Sequence, residues 1–150
     1  MRYTKLTLLL SLLLALSAAA NAQSGHCTLI TYWVDRNPFA SSSNNLVGQF
    51  PLTIEDEPIT KLFRHEDSGI PVSVGVQVIK GTSRGIPTMI RLAIAFTEQP
   101  NNVFDDLEGS EAESFYDRHW RGLSVSRNIR RGDRTYTFTF GCWKQVARRH

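Results

Sequence analysis

Cysteine is scarce in this chain of 150 residues: there are only two, which excludes a scaffold built from several disulfides. No thiolate and histidine spacing suggests zinc. After the first apolar run, no segment approaches the roughly 20 apolar residues that a spanning helix needs, so no membrane span is expected. No internal repeat is present and no long helical pattern holds. The acids from Asp105 to Glu113 lack the regular Asp/Asn spacing and placed glycine of a calcium loop, so no metal and no cofactor are implied.

What is present begins with Arg2 and Lys5, an apolar run from Leu6 to Leu16, and Ala20-Asn21-Ala22. That is the layout of a signal peptide over residues 1–22, with a basic start, an apolar centre and a small-residue cleavage site. Residues 23–150 are then one domain of ordinary size. Export places the protein outside the cell, or in the periplasm of a bacterium. Removing Arg2 and Lys5 takes two of the 17 basic residues and none of the 14 acidic ones, so the net charge falls from +3 to +1. The remaining charge is segregated. Every charged residue from Glu98 to Asp117 is acidic, whereas from Arg118 onward nearly all are basic, and the two blocks are expected to neutralise each other across the fold.

Alternation marks the strands. Tyr136, Phe138 and Phe140 alternate with Thr135, Thr137 and Thr139, the pattern of a strand with one face buried. The same reading gives strands at Cys27–Val34, Leu46–Ile54, Ile59–Phe63, Val72–Val78, Met89–Phe96 and Leu123–Ile129. Pro51 puts the second at an edge or a bulge. Val72, Val74, Val76 and Val78 face one way, with Ser73, Gly75 and Gln77 opposite. Asn101 to Trp120 reads as a long acidic loop with one or two helical turns and a short strand near Phe115. The expected fold is all-β, an antiparallel sandwich of seven or eight strands. Cys27 and Cys142 lie at opposite ends of the domain, and in an exported protein they most simply pair with each other. Free thiols or an intermolecular bridge are the alternatives.

Candidate chemistry is sparse. His65-Glu66-Asp67 clusters titratable groups in a loop, and Asp117 with His119 lies on one extended segment. Acid–base work needs groups converging from separated parts of the fold, which spacing does not show, so these are read as solvated loop residues and no enzyme is expected. The basic stretch containing Arg118, Arg121, Arg127, Arg130, Arg131 and Arg134, with Trp120 nearby, has the chemistry to track an anionic polysaccharide. A solvated sheet face is the alternative, and no nucleic-acid partner is expected. Arg131-Gly132-Asp133 separates two β-rich runs and suits a two-residue hairpin turn with a positive φ at the glycine. Such a tip presents a guanidinium and a carboxylate to a partner.

Ser24-Gly25-His26-Cys27 opens the exported chain, Asn44-Asn45-Leu46-Val47-Gly48-Gln49 follows the first strand, and an Arg-Gly-Asp turn precedes the strand that holds Cys142. In these short motifs the chain resembles the ToxA-like family of small fungal secreted effectors. The resemblance implies a β-sandwich with a disulfide joining its terminal regions. It also implies a non-enzymatic virulence protein in which Arg131, Gly132 and Asp133 engage a host protein or cell-surface receptor. Arg130, Arg134 and Trp120, from the basic stretch around the turn, complete the residues expected to contact a partner. The alternative is an extracellular or periplasmic module that binds carbohydrate or an anionic polymer.

Overall fold

The computed structural model describes residues 23–36, 40–54, 57–82, 85 and 87–145. The expected signal peptide, and parts of the turns read after the first, second and fourth strands, lie outside the described residues. Eight strands follow in order: β1 (Gln23–Asp35), β2 (Asn45–Thr53), β3 (Ile59–Arg64), β4 (Pro71–Ile79), β5 (Met89–Ala95), β6 (Ser110–Phe115), β7 (Gly122–Arg131) and β8 (Arg134–Lys144). One short 3-10 turn, Pro100–Asn102, lies between β5 and β6. Among the described residues no helix is long and apolar enough to cross a membrane.

The strands form two four-stranded antiparallel sheets, ordered β2-β1-β8-β7 (sheet A) and β3-β4-β5-β6 (sheet B). This is the expected sandwich. Alternation decides the faces: Phe138 and Phe140 of β8 and Leu29 of β1 turn inward to meet Val72, Val74, Ile90, Leu92 and Ile94 of sheet B. Thr31 also faces this core, and its hydroxyl donates to the Thr137 carbonyl at 3.0 Å, which satisfies an otherwise costly buried group. Pro51 lies on β2, an edge strand of sheet A, where a missing N–H is tolerated.

Cys27 and Cys142 are directly opposite in the β1–β8 register and are bonded to each other, with Cα atoms 4.0 Å apart. The first and last strands are therefore hydrogen-bonded neighbours as well as covalently joined. Such a bond fits an oxidising compartment.

One sequence reading needs correction in its extent. The segment from Asn101 to Trp120 contains a full edge strand, β6, which begins at Ser110 and pairs with β5 along its length. Its half-buried positions are Ser110, Ala112 and Ser114, too small and polar to signal an inward face, while Glu111 and Glu113 point to solvent. The alternation read for β4 holds, and Ser73 and Gly75 on its other face are buried as completely as the valines. Val103 and Phe104, just after the 3-10 turn, lie across the outer face of sheet B on Gly75, Ala93 and Ala95. Small residues there make room for that cover. A Cβ added at Gly75 would come within 2.6 Å of both the Phe104 and Val103 side chains. Gly75→Ala is accordingly expected to lower stability by about 1–3 kcal/mol. A Phe104→Ala background should relieve the ring's share of that clash, and denaturant titration of the two single variants and the double measures the coupling.

Candidate functional site

The β7–β8 hairpin ends in a two-residue loop. Arg131 pairs with Arg134, and Gly132 and Asp133 make the turn. Gly132 has φ +60°, and no described non-glycine residue has a positive φ, so the turn is type II′ with glycine at its first central position. A side chain at Gly132 would be strained there, and the expected turn chemistry is met.

The turn is braced by the end of β1. The Arg36 backbone N–H donates to the Asp133 carbonyl at 3.0 Å, and the Arg36 guanidinium lies 3.5 Å from the Asp133 carboxylate. Both side chains are largely exposed, at 69% and 73%. Such a solvated pair contributes only about 0–1 kcal/mol, so the carboxylate is not held away from other partners. Arg130 Nε donates to the Gly132 carbonyl at 3.3 Å. Arg134 sits 4.0 Å above the Trp33 ring, a cation–π contact that fixes its stem and leaves the residue exposed.

Arg131, Gly132, Asp133, Arg130 and Arg134 are thus gathered at one exposed tip, but not on one face. The register places Arg130 beside Thr135 on the outer face of sheet A and Arg131 beside Arg134 on the opposite face, so Arg130 and Arg134 point apart. Arg127 lies on the inward face of β7 with its guanidinium 4.9 Å from the Phe96 ring, away from the tip. Trp120, read as a partner-contacting aromatic, is a core residue. It is 5% exposed and packs 5.0 Å from Tyr116, so it cannot meet a partner at the surface.

The tip also contains residues that were not singled out from the sequence, Arg36 and Trp33. Their signal was indirect. Once Cys27 is set opposite Cys142 in an antiparallel pair, counting eight residues up β1 and eight back along β8 brings Asp35 to Arg134, which is the observed register.

The expected neutralisation of acidic by basic blocks does not occur where ion pairs are described. Glu111 and Glu113 are answered by Arg91 on the neighbouring strand β5, and Glu98 by Arg64 of β3. Those carboxylates all meet their partners within sheet B and its loops. At the tip, Arg36, Arg130, Arg131 and Arg134 outnumber Asp35 and Asp133, and the local charge is positive.

The histidines do not form a shared centre. His65 is buried rather than solvated: its ring lies edge-on to Tyr136 and Phe138 at 5.6 Å each, and Nδ1 is 2.7 Å from the Ser68 hydroxyl. Glu66 and Asp67 remain exposed beside it. The Asp117 carboxylate accepts from the backbone N–H groups of His119 and Trp120, at 2.8 and 3.0 Å, so it caps its own turn. His119 Nε2 accepts from Arg118 Nε at 3.0 Å. Among the described residues neither of these histidine rings meets a carboxylate, and no group of His, Cys, Asp and Glu is arranged to hold a metal ion. Compared with family models, curated proteins and solved structures, the chain matches none.

Proposed function

We propose that this chain is an exported, non-enzymatic effector-like protein that recognises a host protein or cell surface through the β7–β8 tip, with Arg131, Gly132 and Asp133 at its apex. The observation that carries the reading is the exposed type II′ turn, which presents a guanidinium and a carboxylate on a backbone braced from β1. A braced turn loses little conformational freedom on binding. Among the described residues the Asp133 carboxylate pairs with the exposed Arg36, and exchanging that guanidinium for a partner's cation or donor costs little. The resemblance to the ToxA-like effectors points the same way.

A second reading, an anionic polysaccharide held by the same tip, is favoured by the excess of guanidinium groups there. The two readings assign opposite roles to Asp133. If a receptor reads the Arg-Gly-Asp turn, Asp133→Ala weakens binding by about tenfold or more, the loss of one charge-assisted contact. If the ligand is a polyanion, removing that carboxylate strengthens retention, whereas Arg130→Ser with Arg131→Ser weakens it, and retention falls steeply with salt. Host-tissue infiltration and heparin chromatography, run on wild type and both variants, separate the cases. Responses and retention identical across all three proteins would remove the tip from the mechanism.

A further inference from the structure

The outer face of sheet A differs in chemistry from the tip. Across its four strands one row of the register runs Pro51, His26, Trp143 and Gly122, and the next runs Gln49, Thr28, Gly141 and Ser124. Trp143 is built flat onto this surface. A Cβ on Gly141 would fall 2.4 Å from Cη2 of the indole, and one on Gly122 would fall 2.4 Å from Cδ1. The underside of the ring therefore rests on bare backbone of β8 and β7, a position open only because both residues lack side chains. The opposite side of the ring is turned to solvent, and the residue is 38% exposed. The exposed His26 ring lies beside it at 5.9 Å and 31°.

Hydroxyls border this platform on one side. Thr28 and Ser124 flank Gly141 in the neighbouring row, and one row further Thr139 and Ser126 share a hydrogen bond of 2.7 Å. Each hydroxyl both donates and accepts, so this pair retains capacity for a ligand. A shallow recess lined by Arg121, Gly122, Leu123, Ser124 and Trp143 opens on one side of the rings. A second, lined by His26, Gln49, Phe50 and Pro51, opens on the other.

We propose that this face binds a neutral polysaccharide, with a sugar ring stacked on Trp143 and its hydroxyls met by the adjoining Thr and Ser side chains. A pyranose has one apolar face of C–H groups and an equatorial belt of hydroxyls, which is the complement of a flat indole with Thr and Ser along one side. Charge selects among glycans. The rows from Gln49 to Ser124 and from Ile30 to Ser126 carry no ionised side chain, and Arg121 is the one arginine lining either recess, in contrast to the four arginines of the tip. A polyanion therefore belongs at the tip and an uncharged polymer at this face. A lipid surface is a poorer match because the positions flanking Gly141 in the next row, Thr28 and Ser124, and the Thr139–Ser126 pair beyond them carry hydroxyls. The proposal is independent of the function assigned to the tip.

Affinity electrophoresis of the exported chain through gels containing a soluble β-glucan, a xylan or a galactomannan tests it. At least one polymer should retard the protein, equally at low and high salt. Trp143→Ala should weaken that retardation by roughly tenfold and Trp143→Phe by less. Gly141→Ser, which retains the tryptophan but lifts its ring from the sheet, should also weaken it. Arg130→Ser with Arg131→Ser should leave it unchanged, which separates this face from the tip. Thermal unfolding of each variant confirms that it folds. The proposal is overturned by absence of retardation in all three polymers, by retardation that survives Trp143→Ala, or by a self-association that Trp143→Ala abolishes without any glycan bound.

Discussion

Replacing Cys27 and Cys142 together by alanine is expected to lower the stability of the domain by about 4 kcal/mol and its unfolding midpoint by roughly 15 °C, while leaving the β-sheet circular dichroism of the folded protein intact. The bridge closes a sequence separation of 115 residues, nearly the whole domain, so its main action is to restrict the unfolded chain. The native state needs it less. β1 and β8 are paired from Gly25↔Lys144 to Asp35↔Arg134, and that ladder holds the two strands together without the sulfurs. Scanning calorimetry of wild type, reduced wild type and the double variant is the measurement. A midpoint lowered by only a few degrees would mean that the unfolded chain is already compact enough to gain little from closure.

Phe138→Ala is the single substitution expected to do most damage, at about 3–5 kcal/mol. Phe138 is fully buried at the meeting point of the aromatic cluster, with Phe96 at 5.5 Å, His65 at 5.6 Å and Tyr136 at 6.4 Å. Removing the ring leaves a cavity lined by other rigid rings, which cannot collapse to fill it. Phe115→Ala is the control: that ring is 61% exposed at the end of β6, and its loss should change stability by no more than about 0.5 kcal/mol. Urea titration of the two variants separates them. Equal losses would contradict the assignment of inward and outward faces.

Strands were legible where one face is apolar and the other is not. Tyr136, Phe138 and Phe140 against threonine, and the valines of β4, announce both the conformation and the inward direction, because a pleated backbone sends successive side chains to opposite sides. β6 was legible only as a short strand near Phe115, for the converse reason. Its inward residues are small and polar, and what marks it as a strand is the alternation of Glu111 and Glu113 opposite Arg91, a pairing that depends on knowing which strand lies alongside. Trp120 misled in a similar way. An aromatic among arginines reads as a surface contact, yet the chain folds it against Tyr116 and the core.

From the order of residues alone came the all-β class, the Gly132 turn and the pair of cysteines, since each depends on local periodicity, on a backbone angle that one residue type favours, or on a count. Which arginines share a face, that Arg36 and Trp33 join the tip, and that Gly122 and Gly141 make a bed for Trp143 were decided by the tertiary structure. Those facts depend on the register between strands distant in the chain, and alternation reports that a residue faces one side or the other without reporting what stands beside it.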